Sequence, residues 1–140
     1  MAKASGLGWT TLTVSDASAS PTVIKNDVTN LSFSTPRAVQ DVTGVDKSAN
    51  ERLLLLADFS VTLNGVFNSA VSHPVFKTVP STSVARLTTL VVNSQTLNDS
   101  ASSGGVNCLY TDYPLTRAAS GELTWAVPGV LADGNVPTWS

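Results

Sequence analysis

The chain has 140 residues, 42% of them hydrophobic and 13% charged, with eight basic and ten acidic side chains and a net charge of −2. That length fits one domain over residues 1–140 with a substantial core, and the charge balance excludes a binder that reads nucleic acid through a Lys/Arg stripe. One cysteine, Cys108, excludes an intrachain disulfide framework and a cysteine-rich zinc site; no apolar run approaches the ~18 residues of a membrane span, so no membrane partner is expected, and Met1–Gly6 lacks the apolar stretch of a secretory signal.

Val and Thr are abundant while Glu, Lys and Met are scarce, at two, four and one. This composition favours pleated, half-buried backbone, so the chain reads as mainly β. The first strand is predicted over Trp9–Val14, ended by Ser15-Asp16, with a polar turn at Ala17–Pro21. Asn26-Asp27 marks another turn. Val28–Ser34 follows, with Leu31 and Phe33 on one face and Ser32 and Ser34 on the other. Pro36 limits that strand or places it at an edge, and Ala38–Thr43, ending at Gly44, is its candidate partner.

Val45–Arg52 is the densest cluster of charge. It precedes Leu53-Leu54-Leu55-Leu56 and then a clean alternation: Phe59, Val61 and Leu63 on one face, Asp58, Ser60 and Thr62 on the other. Period 2 predicts a strand with one wetter face. The leucine run fits either the start of a helix or a strand covered on both faces. Continuity with the alternating part favours one long strand, ended by the turn dipeptide Asn64-Gly65.

Asn68–Val79 is the best helix candidate, capped at Asn68 or Ser69, with Pro74 in the first turn and Pro80 closing it. Val84–Asn93 reads as a strand with Arg86, Thr88, Leu90 and Val92 on one face. Asn98–Gly105 reads as a loop with a flexible Ser102–Gly105 tip. Val106–Ala118 reads as a long strand bent near Pro114, and it pairs through Ser120-Gly121 with Glu122–Val127. Pro128-Gly129 and Asp133-Gly134 punctuate the tail. The resulting expectation is a two-sheet β-sandwich or barrel of about seven to eight strands with one short flanking helix.

Chemistry is sparse. His73 is the only histidine, and Cys108 shares strand parity with Tyr110, so nucleophilic catalysis lacks a partner set. The Asp41 and Asp46 pair around Gly44 is better explained as turn chemistry than as a glycosidase pair. No EF-hand, phosphate-binding or dinucleotide glycine pattern occurs, so no enzyme activity, metal or cofactor is expected. Trp9, Trp125 and Trp139 fit core or interface anchors better than a sugar platform. Asp46-Lys47 with Glu51-Arg52 fits either solvated surface or a charge-complementary contact between copies of the chain.

Three stretches, Phe33–Phe59, Val75–Ser83 and Gly121–Trp139, resemble the major tail proteins of long-tailed phages infecting actinobacteria; the resemblance covers most of residues 28–139. It implies a structural virion protein: a β domain with a flanking helix, assembling in the host cytoplasm into stacked, typically hexameric rings that form the tail tube and pass DNA without sequence-specific binding. It further implies other tail proteins as partners, and loops and terminal arms as the joints between rings. By position, Gly44–Arg52, Met1–Trp9 and Val136–Ser140 take that role, making Asp46, Lys47, Glu51, Arg52 and Trp139 the candidate inter-subunit contacts. A conduit wall avoids basic charge, so Asp58 and Asp112, on polar faces, are the candidate lumen-facing residues. A connector or terminator ring of the same tail stays open as an alternative, as does a carbohydrate-binding module.

Overall fold

The computed structural model describes residues 5–7, 9–99 and 104–140. Among the described residues twelve strands and one short helix follow one another: β1 (Thr11–Ser15), β2 (Pro21–Val23), β3 (Val28–Ser34), β4 (Arg37–Asp41), β5 (Arg52–Ala57), β6 (Ser60–Val66), α1 (Ser72–Phe76), β7 (Arg86–Val92), β8 (Gln95–Asn98), β9 (Val106–Tyr110), β10 (Leu115–Arg117), β11 (Leu123–Leu131) and β12 (Thr138–Trp139). The protein is mainly β, as its composition indicates. The count exceeds seven or eight because the very short strands β2, β8, β10 and β12 pair with neighbours without a hydrophobic pattern of their own.

Ten strands make one antiparallel sheet, ordered β12-β8-β7-β9-β11-β6-β3, with β1 beside β7, β2 beside β1, and β10 beside β11. The smaller sheet is β4 paired with β5. It is not the second layer of a sandwich: nearly all its residues are exposed. The core lies on one side of the large sheet, where Leu12, Val61, Leu63, Leu90, Leu97, Val106, Trp125 and Val127 pack with Ile24, Phe59 and the helix residues Val75 and Phe76. Their alternation along the strands is the period-2 pattern that places one face inward. Aromatic contacts link the two ends of the strand order, since Trp139 of β12 lies 5.9 Å from Phe33 of β3, centroid to centroid, and Trp9 meets Phe33 edge-on at 6.4 Å.

The helix is shorter than Asn68–Val79. It starts at Ser72 with no side-chain cap at Val71, and Pro74 sits in its first turn as expected. Asn68 instead turns the preceding loop, its Oδ1 accepting from the Ala70 N–H at 2.9 Å. A buried arginine holds the other end. Arg86 on β7 donates to the Val75 carbonyl and to Thr78 Oγ1, both at 2.7 Å, satisfying a helix-end acceptor that the short helix leaves open. Burial lowers the Arg86 pKa.

Two turn dipeptides lie inside strands. Asn64-Gly65 belongs to β6, where Gly65 opposes Trp125 and Val28. A Cβ there would stand 2.5 Å from both the Asp27 carbonyl and the Trp125 ring, so this glycine serves a close packing approach rather than a turn. Pro128-Gly129 likewise runs within β11, paired with Thr62 and Val61. The bend at Pro114 does separate β9 from β10, and both pair with β11: Leu115↔Trp125 at one end, Val130↔Leu109 at the other. Of the Asn98–Gly105 loop, residues 100–103 lie outside the described residues. Asn98 ends β8, and Gly105 packs against Thr88.

β3 pairs with β6, and β4 pairs with β5 instead of turning back on β3. The consequence is one long hairpin, residues 28–66, whose inner half belongs to the large sheet and whose outer half projects as an arm.

Candidate functional site

The groups most suited to chemistry are engaged elsewhere. Cys108 is fully buried, and desolvation pushes its thiol up to about 12, which leaves no thiolate at neutral pH. The His73 ring lies 4.9 Å from Phe67 and its Nδ1 is 3.2 Å from the Tyr113 hydroxyl. Asp41 is exposed at the end of β4, and its carboxylate accepts from Thr43, a bond that lowers its pKa. Trp125 is only 2% exposed and packs on Phe76 at 5.2 Å. The three tryptophans therefore do not form a sugar platform. No group of three or more metal-ligating side chains occurs among the described residues.

Two surfaces stand out instead. The first is the arm. β5, Arg-Leu-Leu-Leu-Leu-Ala, is the most apolar strand in the chain, yet its leucines face water. Directly opposed residues share a face, so the register Val39↔Leu54 and Gln40↔Leu53 sorts the arm into two sides. Val39 and Leu54 lie on one, at 52% and 60% exposure; Leu53, at 53%, lies on the other with Val42. The register shifts between Arg37 and Val39, where Leu55 and Leu56 bulge outward. Full burial of one aliphatic side chain contributes roughly 1.5–3 kcal/mol, so these four half-exposed side chains leave roughly 3–6 kcal/mol unrealised. A two-stranded ribbon alone in water is marginal, and this one is held at both ends. Arg37 Nη2 donates to the Leu55 carbonyl at 2.7 Å at the base, and Val42 N–H donates to the Glu51 carbonyl at 2.9 Å near the tip.

The predicted contact residues map onto the arm tip only in part. Lys47 and Glu51 pair with each other within the chain at 3.4 Å. Asp46 is exposed beside them, and Arg52 opposes Asp41 in the ladder. Trp139 sits on β12, half exposed, its ring tilted against that of Phe33. Of the terminal segments, residues 1–4 and 8 lie outside the described residues; the other terminus is tied into the sheet by Ser140 and Thr96, which exchange backbone bonds at 2.9 and 3.0 Å.

The second surface is the outer face of the large sheet. The four adjacent strands β9, β11, β6 and β3 contain no charged residue. Their outward positions form rows in register: Leu109, Val130, Ser60 and Ser34; then Pro128, Thr62 and Ser32; then Ala126, Asn64 and Asn30. Ser34 and Ser60 hydroxyls meet at 3.0 Å. Asp58, exposed, stands at the border of this face, its Oδ1 accepting from the Phe59 N–H at 2.7 Å. Asp112, also exposed, lies in the β9–β10 connection and accepts from the Tyr113 N–H at 2.8 Å. Alternation along Asp58–Leu63 correctly separates wet from buried side chains, but the sequence did not reveal that four such strands lie side by side.

A further acidic pair was not singled out in the sequence. Asp99, 4% exposed, and Asp133 both accept from the Asn107 side-chain amide, at 3.4 and 2.9 Å. Burial and the nearby Asp133 raise the Asp99 pKa. Burial works the same way on Asp133, but hydrogen bonds from Asn135 and Asp99 outweigh it and lower its pKa.

No family model and no curated protein matches the sequence. Solved structures do match. A chain in the virion of a native gene transfer agent particle superposes with a TM-score of 0.64 over 97% of this chain and 99% of its own, at 16% identity. A chain in the tail of an empty gene transfer agent particle with C6 symmetry superposes with a TM-score of 0.65 over 93% of this chain and 95% of its own, also at 16% identity. At that identity the likeness is one of fold.

Proposed function

We propose that this protein is the subunit of a phage-like tail tube, a structural and non-enzymatic virion component that assembles into stacked rings of six. The observation that carries this reading is the likeness of fold, over nearly the whole of both chains, to a chain from a C6-symmetric tail. The arm supports it independently: an apolar strand exposed in the single chain requires cover from other molecules. The narrower assignment to a phage of actinobacteria rests on the sequence stretches Phe33–Phe59, Val75–Ser83 and Gly121–Trp139 alone.

In this reading the uncharged outer face of β9, β11, β6 and β3 lines the lumen, with Asp58 at its border and Asp112 nearby in chain order. DNA carries one negative charge per ~1.7 Å of axis, and each phosphate neutralised by Lys or Arg releases counterions and tightens binding. A wall of Ser, Thr, Asn and small apolar side chains offers no such sites, so the genome slides instead of sticking. The arm tips around Asp46, Lys47, Glu51 and Arg52 reach the neighbouring ring.

Negative-stain electron microscopy of the purified chain over a concentration series tests the reading. Hollow rings about one axis and tubes built from them are the expected result. Single rings that never stack, at one ring per intact particle, replace the tube by a connector; a protein that stays monomeric throughout overturns the assembly reading.

A further inference from the structure

The last strand joins the sheet beside two carboxyl groups that no cation neutralises. β12 pairs with the end of β8, Thr138↔Asn98 and Trp139↔Leu97, and Trp139 lies against Phe33. Asp99 directly follows Asn98, and Asp133 opens the stretch that leads from β11 to β12. Asn107 on β9 joins the two. Its backbone N–H donates to Asp99 Oδ2 at 2.9 Å, and its side-chain amide donates to Asp99 Oδ1 at 3.4 Å and to Asp133 Oδ2 at 2.9 Å. The backbone is fixed on both sides as well: Asp99 N–H donates to the Gly105 carbonyl at 3.1 Å, and Ala132 N–H to the Asn107 carbonyl at 2.9 Å. Asp99 is buried and Asp133 exposed, and their carboxyls lie within hydrogen-bonding reach of each other.

No element packed here supplies a positive charge. The 100–105 loop reads Ser-Ala-Ser-Ser-Gly-Gly, β8 reads Gln-Thr-Leu-Asn, and residues 134–140 carry no charged side chain. The titratable groups of β9 are the Cys108 thiol and the Tyr110 phenol, both buried and both raised by that burial. On β7, Leu87 opposes Asn107, and Arg86 beside it is committed to Val75 and Thr78. The only ion pair among the described residues, Lys47 with Glu51, lies on the arm. Two carboxylates this close repel, and a single proton held between them replaces the repulsion with a hydrogen bond. Burial makes Asp99 the group that keeps the proton, and the hydrogen bonds to Asp133 keep it the acceptor.

We propose that Asp99, Asn107 and Asp133 form a proton latch: one proton shared by the two carboxyls ties the end of β8 to the β11–β12 connection, and its loss at rising pH loosens residues 133–140. The sign follows from linkage. A carboxyl that binds its proton more tightly in the folded chain stabilises the closed form at low pH, and that contribution is lost as pH rises. Opening frees Trp139 from Phe33 while the rest of the sheet stays paired. The latch acts within one chain and does not depend on the tube reading.

Hydrogen–deuterium exchange of the dilute full chain tests it, followed by NMR from about pH 4 to about pH 8 and corrected for the intrinsic pH dependence of exchange. The Thr96 and Ser140 amides bond across β8 and the chain end. They are expected to lose protection roughly tenfold or more as pH rises, the effect of losing one charge-assisted hydrogen bond. Amides between β6 and β11 are expected to keep theirs. Asp99→Asn places a permanent N–H donor where the proton sits, and is expected to keep Thr96 and Ser140 protected throughout. The latch is overturned if the wild type shows no loss with pH, if the β6–β11 amides lose protection equally, or if Asp99→Asn opens as the wild type does. Should Asp99→Asn fail to fold, Asp133→Asn at the exposed member carries the same comparison. A carboxyl carbon-13 titration of the wild type is a second measure: Asp99 and Asp133 are expected to respond to the same protonation step, and independent titration overturns the shared proton.

Discussion

The two halves of the long hairpin differ in a way that composition alone inverts. The inner half, β3 with β6, is built from a strand reading Ser-Val-Thr-Leu-Asn-Gly-Val, and its Val61 and Leu63 are buried while Ser60 and Thr62 face out. The outer half, β4 with β5, carries four consecutive leucines, and they are exposed. The more hydrophobic strand is the wetter one. Hydrophobicity states that a strand is to be covered; it does not state that its own chain does the covering. Alternation reports one covered face within the chain, whereas the unbroken apolar run of β5 has both faces open in the single chain.

The comparison breaks most visibly in the core. Trp125→Ala removes the ring that packs on Phe76 and the indole N–H bond to the Val66 carbonyl at 3.0 Å. It is expected to cost about 3–5 kcal/mol in urea unfolding of the monomer. Gly65→Ala pushes a methyl into the same ring and the Asp27 backbone, at an expected cost of about 1–3 kcal/mol.

A smaller effect separates a buried charge from the exposed arm. The folded-state pKa of Asp99 is raised, so its contribution to stability is complete below the ordinary Asp value and is lost as pH rises through the raised one. Asp133 is lowered and acts in the opposite sense: its contribution is present above the ordinary value and lost as pH falls through the lowered one. Asp99→Asn is expected to remove the loss on the rising side, so the stability of the variant falls less than that of the wild type as pH rises above the ordinary Asp value. Thermal unfolding at a series of pH values measures it.

The smallest effect falls on the arm. Leu54→Ser is expected to leave monomer stability within about 0.5 kcal/mol, because in the monomer that side chain touches water. A large loss of monomer stability would mean that the arm folds back on its own chain and would erase the contrast between the halves.

Much of the core was legible from alternation. Phe59, Val61 and Leu63 against Asp58, Ser60 and Thr62, and the shared face of Arg86, Thr88, Leu90 and Val92, follow from a period of two that local backbone geometry imposes; the hairpin through Ser120-Gly121 follows from its turn residues, and its strands pair as Leu115–Arg117 with Leu123–Trp125. What misled was punctuation. Asn64-Gly65 and Pro128-Gly129 carry turn chemistry, but in β6 and β11 the glycines answer to Trp125 and Tyr110 across the sheet, and cross-strand packing overrides a local preference. The short strands β2, β8, β10 and β12 are held by their partners' hydrogen bonds, which no local pattern encodes.

The β class, the two faces of the long strands, and the absence of charge along β3, β6, β9 and β11 are properties of consecutive residues and can be read along the chain. That β4 leaves β3 to pair with β5, that the uncharged strands become neighbours, and that the leucines lie on an arm with both sides open emerges in the folded chain. Those outcomes depend on which segments meet across the chain, and pairing between distant segments is settled by the packing of the whole sheet rather than by any stretch within it.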